Sequence, residues 1–109
     1  MSNDELWTST MDLIGRIQRV NIFPAPPLAL QRAHETVHRH RRIQRGRRRP
    51  RHLAYFLYRN IVSYEINRIS NNIIDHRVTK LVSDIIWNNA TRFEKASYRR
   101  ISEHMNEYH

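Results

Sequence analysis

The sequence predicts an all-α fold, and three observations carry that expectation. Apolar residues recur at helical spacing through most of the 109 residues. No strand alternation or glycine-turn hairpin signal interrupts them. Two serine/threonine–x–x–glutamate pairs, Ser2 with Glu5 and Thr91 with Glu94, stand where helices would start.

The elements follow in order. Residues 3–20 read as an amphipathic helix whose stripe is Leu6, Trp7, Met11, Leu13, Ile14, Ile17 and Val20. Such a stripe is buried on its own domain or on a partner, and packing within the chain is the favoured expectation. Phe23-Pro24-Ala25-Pro26-Pro27 breaks the helix as a short stiff linker. A second helix starts after Pro27 and runs toward Gly46, with Leu30, Ala33 and Val37 as sparse apolar positions. Three helices are expected after Pro50, at roughly 53–69, 76–88 and from Thr91 toward the C-terminus. Their core is small. One aromatic cluster of Tyr58, Trp87, Phe93 and Tyr98 is expected to join them as scaffold. The chain thus divides into an N-terminal extension, 1–46, and a three-helix unit, 47–109.

Charge is concentrated in one place. The net charge is +9. Residues 1–38 hold three arginines against four acids, and residues 52–109 hold eight basic residues against six acids. Residues 39–51 hold eight arginines and no acid. A local cationic block fits a polyanion partner better than a general solubility role. The block ends at Arg47-Arg48-Arg49-Pro50-Arg51, and the apolar, aromatic segment His52-Leu53-Ala54-Tyr55-Phe56-Leu57-Tyr58-Arg59 follows. Arginines grip phosphates without regard to sequence. Adjacent Tyr55 and Phe56 at a helix start suit a wedge for a base step.

Several classes are disfavoured. There is no cysteine, so disulfides and thiolate metal sites are excluded. No apolar run has the length of a membrane span, so no membrane partner is expected. Asp4, Glu5 and Asp12 are unlike an acid-poor transit peptide. The expected location is intracellular, and the arginine run doubles as a nuclear localisation signal. His34-Glu35-Thr36-Val37-His38 matches the zinc-protease pattern H-E-x-x-H, but no third ligand or protease-sized scaffold accompanies it. With two glycines in the whole chain there is no nucleophile elbow or nucleotide loop. No enzyme, cofactor or metal is expected, and no residue is assigned a catalytic role.

With these features in place, residues 49–109 resemble an HMG box, and most closely the sequence-specific branch of sex-determination and fungal mating-type boxes. Arg49-Pro50-Arg51-His52-Leu53-Ala54-Tyr55-Phe56-Leu57-Tyr58-Arg59 follows that branch's opening pattern, R-P-x-N-A-F-x-x-Y/W-R/S, with one extra residue. Val78-Thr79-Lys80-Leu81-Val82-Ser83-Asp84-Ile85-Ile86-Trp87 is similar to its second helix, again one residue longer. Trp87-Asn88-Asn89-Ala90-Thr91 with Lys95-Ala96-Ser97-Tyr98 is similar to the start of its third.

The resemblance implies an L-shaped three-helix fold, minor-groove binding and DNA bending. It implies an aromatic anchor at Tyr55 and an intercalating wedge at Phe56. Thr79 and Lys80 fall on the family's helix-2 serine and lysine, His76 on a polar helix-2 contact, and Arg47, Arg48, Arg49 and Arg51 on the basic strand that enters the groove. Arg59 closes the opening pattern. The family's base-reading asparagine falls on Leu53, or on His52 if the extra residue lies later, and neither supplies an amide. The wedge that non-specific boxes carry in the second helix falls on Asp75, which implies a single wedge.

The expected function is a nuclear transcription regulator of the mating-type class, binding as a monomer to the A·T-rich minor groove of double-stranded DNA. One alternative is an architectural DNA-binding protein with little sequence preference. Another is a helical interaction module, in which residues 3–20 dock a protein and the arginines bind RNA or an acidic partner.

Overall fold

The computed structural model describes residues 2–43, 53–70 and 74–108. Its elements are helices α1 (Asn3–Arg16), α2 (Pro27–Ile43), α3 (Leu53–Ile69), α4 (His76–Asn88) and α5 (Arg92–Tyr108), with a 3₁₀ turn at Arg19–Asn21. Every regular element among the described residues is helical, as periodicity predicts. α1 packs on α4, α2 on α3 and α5, and α3 on both α4 and α5.

Local chemistry sets the helix ends. Ser2 accepts the Glu5 amide at 3.2 Å and starts α1. α1 ends at Arg16, earlier than the expected 20, because Ile17 takes an extended backbone. Arg16 then donates to the Ile69 carbonyl at 2.6 Å, an acceptor left over at the end of α3. Asp75 caps α4 by accepting the Arg77 amide at 2.9 Å. The Arg77 guanidinium and that amide together hold the Asp75 carboxyl far below the usual carboxylate range. At α5 the expected capping box forms in both directions: Glu94 N–H donates to Thr91 Oγ1 at 3.1 Å, and Thr91 N–H donates to Glu94 Oε1 at 2.8 Å.

The core is shared by both halves of the sequence. Leu13, Ile22, Phe23, Ala29 and Ala33 are buried together with Leu57, Tyr58, Val62, Ile66, Val82, Tyr98 and Met105. Ala29 and Ala33, one turn apart, are small enough to let α2 lie close on its neighbours. Leu30, expected inside, is exposed instead. On α1 the inward face is Leu6, Thr10, Leu13 and Ile14, with Ile17 packing just past its end, whereas Trp7 and Met11 are exposed and Val20 beyond the helix is exposed too. The buried Thr10 hydroxyl donates to the Leu6 carbonyl at 2.7 Å, so it enters the core with its hydrogen bond made.

The aromatic cluster forms with one member exchanged. Trp87 lies 4.6 Å from Tyr58 and 6.2 Å from Tyr98 between ring centroids. Phe93, expected in this cluster, is 84% exposed. Its place is taken by Phe23, stacked on Tyr58 at 5.7 Å and edge-on to Tyr98 at 5.9 Å. The reason lies in the helix register. Position 98 points inward, and position 93, five residues earlier, lies about 140° away around the helix. The Tyr98 hydroxyl donates to the Ile22 carbonyl at 2.6 Å, and the Ser97 hydroxyl accepts the Ala25 amide at 2.9 Å. The proline-bounded segment is therefore fastened along α5. Burial pushes the Tyr58 and Tyr98 phenols well up from their ordinary values.

Candidate nucleic-acid interface

Tyr55 and Phe56 are adjacent in sequence and so diverge by about 100° around α3. Tyr55 turns inward. Its ring lies 5.8 Å from Tyr58 and 5.6 Å from Trp87, and its hydroxyl donates to Asp84 on α4. Burial, with that hydrogen bond and the Asp84 charge, pushes the phenol up to about 12. Tyr55 is thus a neutral, fixed donor at neutral pH. Phe56 turns outward and is 47% exposed, an apolar ring on an otherwise polar surface.

The next turn adds a cation and an amide. The Arg59 guanidinium lies 6.0 Å from the Tyr55 ring centroid, within reach of cation–π attraction. Asn60 donates from Nδ2 to the Phe56 carbonyl at 3.0 Å, which leaves its side-chain oxygen as an acceptor at the surface. Ser63, Tyr64 and Asn67 follow Phe56 on the same side of α3, seven, eight and eleven residues on. Tyr64 is 54% exposed, although the sequence pattern groups it with Leu57 and Ile61. The resulting stripe is aromatic and polar but uncharged. Its signal was the spacing from Phe56, which becomes informative only once the exposed side of the helix is known.

On α4, His76 and Lys80 are exposed, and Thr79 is half-buried. His76, Lys80 and Asp84 form one line at i, i+4 and i+8, and the Tyr55–Asp84 hydrogen bond joins that line to α3. The side-chain contact shown between these two sets of residues is thus the bond from Tyr55 to Asp84, one turn beyond Lys80. Neither Arg59 nor Lys80 is in an ion pair among the described residues. Leu53 does not join this surface; it is 2% exposed and its side chain fills the core. Arg47, Arg48, Arg49, Arg51 and His52 lie outside the described residues.

The zinc-like motif does other work in part. Glu35 accepts from Arg32 at 3.3 Å on the outside of α2, His34 is exposed, and the His38 side chain lies outside those described. Among the described residues no cluster of three histidines or carboxylates stands close enough for a metal ion. Glu65 of α3 is buried in an ion pair with Arg68 and accepts from Asn21 at 3.1 Å. Arg68, opposed by burial and helped by Asn21, holds its carboxyl below the ordinary value. That group floors an open groove of about 560 Å³ between Pro26, Pro27, Leu28 and Tyr64. No protein-family model, curated protein or solved structure matches the chain significantly.

Proposed function

We propose that this chain is a DNA-binding protein of the HMG-box type, a nuclear transcription regulator of the mating-type class that bends duplex DNA from the minor groove. In this reading α3, α4 and α5 correspond to the three helices of the L-shaped box. The observation that carries it is the outward Phe56 ring beside the pinned Tyr55. A wedge must be exposed and apolar, and its base must not move when it is pushed between base pairs. Unstacking a step costs a few kcal/mol, which the added contacts of bent DNA offset. Arg59 stands one turn from the ring on α3, Lys80 on α4 adds a further cation, and Arg47, Arg48, Arg49 and Arg51 supply the phosphate grip.

The buried Leu53 favours a second reading of the same site, an architectural protein with little sequence preference. Without an amide at that position, base-edge recognition there is lost, while shape and charge still act. Selection of sites from random duplexes separates the two readings. Enrichment of one A·T-rich core supports the regulator, and a bend without enrichment supports the architectural protein.

The direct test is Phe56→Ala. Phe56 is half in solvent, so the variant melts close to wild type. Bending falls sharply, and affinity for linear duplex weakens by about 1–3 kcal/mol. A pre-kinked duplex loses less, since its distortion is already made. Arg48→Ala serves as the control and lowers affinity and salt slope while sparing the bend. A Phe56→Ala protein that melts normally and bends DNA fully rules the wedge out.

A further inference from the structure

Phe93 has no packing role that explains a large apolar ring. It is the most exposed large apolar side chain among the described residues, at 84%. It projects from the first turn of α5, next to Arg92. Arg100 stands two turns on along the same side, about 10 Å up the axis, and Arg99 flanks it. Arg92, Arg99 and Arg100 are all exposed, and none is in an ion pair among the described residues.

The nearest acid does not offset them. Glu94 turns inward, where Arg19 donates to both of its oxygens at 2.6 Å and the Thr91 amide donates to Oε1. Glu103 is the acid that remains on this outer side among the described residues, a turn beyond Arg99. The outer face of α5 therefore carries one open ring and three guanidinium groups that form no ion pair among the described residues, with the exposed Glu103 near Arg99 and Arg100.

Two kinds of partner suit exposed aromatics. A protein contact centres on a packed apolar cluster with a rim that excludes water. Phe93 has no such cluster, because its neighbours along the face are Arg92, Ala96, Ser97 and Arg100. Binding of single-stranded nucleic acid needs only a free ring face for a base and cations for the adjoining phosphates. We infer that Phe93, with Arg92, Arg99 and Arg100, forms a second nucleic-acid site, distinct from the α3/α4 face, that stacks one unpaired base and holds neighbouring phosphates. The inference does not rest on the duplex-bending reading.

The full chain is titrated by fluorescence anisotropy against a labelled oligothymidylate and, separately, against a linear duplex. Phe93→Ala weakens oligothymidylate binding about ten-fold, with melting temperature, duplex affinity and bend unchanged. Phe93→Trp retains single-strand binding, and the emission it adds over wild type is quenched when the oligomer binds. Phe56→Ala leaves oligothymidylate binding intact. The inference is overturned if Phe93→Ala binds the oligomer as tightly as wild type, or if the emission added at position 93 does not respond to saturating oligomer. It is overturned equally if Phe93→Ala changes only self-association of the protein in sedimentation. Phe93-dependent single-strand binding in a wild-type protein that fails to bend duplex DNA would reject the wedge and leave this second site standing.

Discussion

Two phenylalanines that composition treats alike have opposite surroundings. Phe23 is buried against Tyr58 and Tyr98, whereas Phe93 stands in solvent. Truncating a buried phenylalanine removes its transfer energy and leaves a cavity. Phe23→Ala is therefore expected to cost about 3–5 kcal/mol, a large share of the stability of a chain this size. Phe93→Ala is expected to stay within about 0.5 kcal/mol of wild type. Urea unfolding of both variants checks the contrast, and equal losses would place the aromatic cluster wrongly. Tyr55 and Phe56 show the same divergence on one helix, where one residue of offset turns one ring inward and the other outward.

The start of α5 joins two elements through one carboxylate. Glu94 closes the capping box and receives both guanidinium hydrogen bonds of Arg19. Arg19, opposed by burial and aided by the Thr91 backbone, holds its carboxyl down at about 2, against 4.5 for an unperturbed glutamate. A carboxyl depressed by folding stabilises the native state above its unfolded value, and that contribution is lost as pH falls through the folded one. Wild type should therefore lose stability between about pH 4.5 and pH 2 through this group. Glu94→Gln keeps the capping geometry but removes the charge. At neutral pH it should cost up to about 1 kcal/mol, since Arg19 is half in solvent. Its stability should vary less over the acid window, as acid titration followed by circular dichroism would show. An unchanged acid profile would mean that Arg19 does not hold Glu94 in solution.

The helices themselves were legible, because capping boxes mark where α1 and α5 begin and apolar period marks α3 and α4. Which side of each faces inward was less so. α2 buries Ala29 and Ala33 and exposes Leu30, since close approach to α3 and α5 requires small residues there. Prolines around Phe23 mark a break in helix and say nothing of its ring, which supplies core volume. Tyr55 and Phe56 were visible as adjacent aromatics at a helix start. The Tyr55–Asp84 link was not, because it spans two helices.

Across the whole molecule, charge and packing occupy different stretches. The arginine block of 39–51 begins in the last turns of α2 and runs on in sequence toward α3, and both helices contribute to the shared core. If the proposed phosphate grip holds, binding should vary with salt while the fold does not. If about six of the eight arginines meet phosphates, the log–log salt slope for duplex binding should be near −5. Titration from low to physiological salt measures it, and an affinity that does not change would reject the electrostatic grip. Thermal unfolding over the same range should shift little by comparison.

The bond from the Tyr98 hydroxyl to the Ile22 carbonyl joins residues 76 positions apart. At roughly 5–20 residues per second of synthesis, Ile22 and Phe23 are made about 4–15 seconds before Tyr98. From the making of Tyr58 until that of Tyr98 the nascent chain holds the stacking partners Phe23 and Tyr58 without the ring that closes over them. α5, made after the other four described helices, is therefore the one that closes the core, and a chain halted before codon 98 lacks the bond that joins α5 to Ile22.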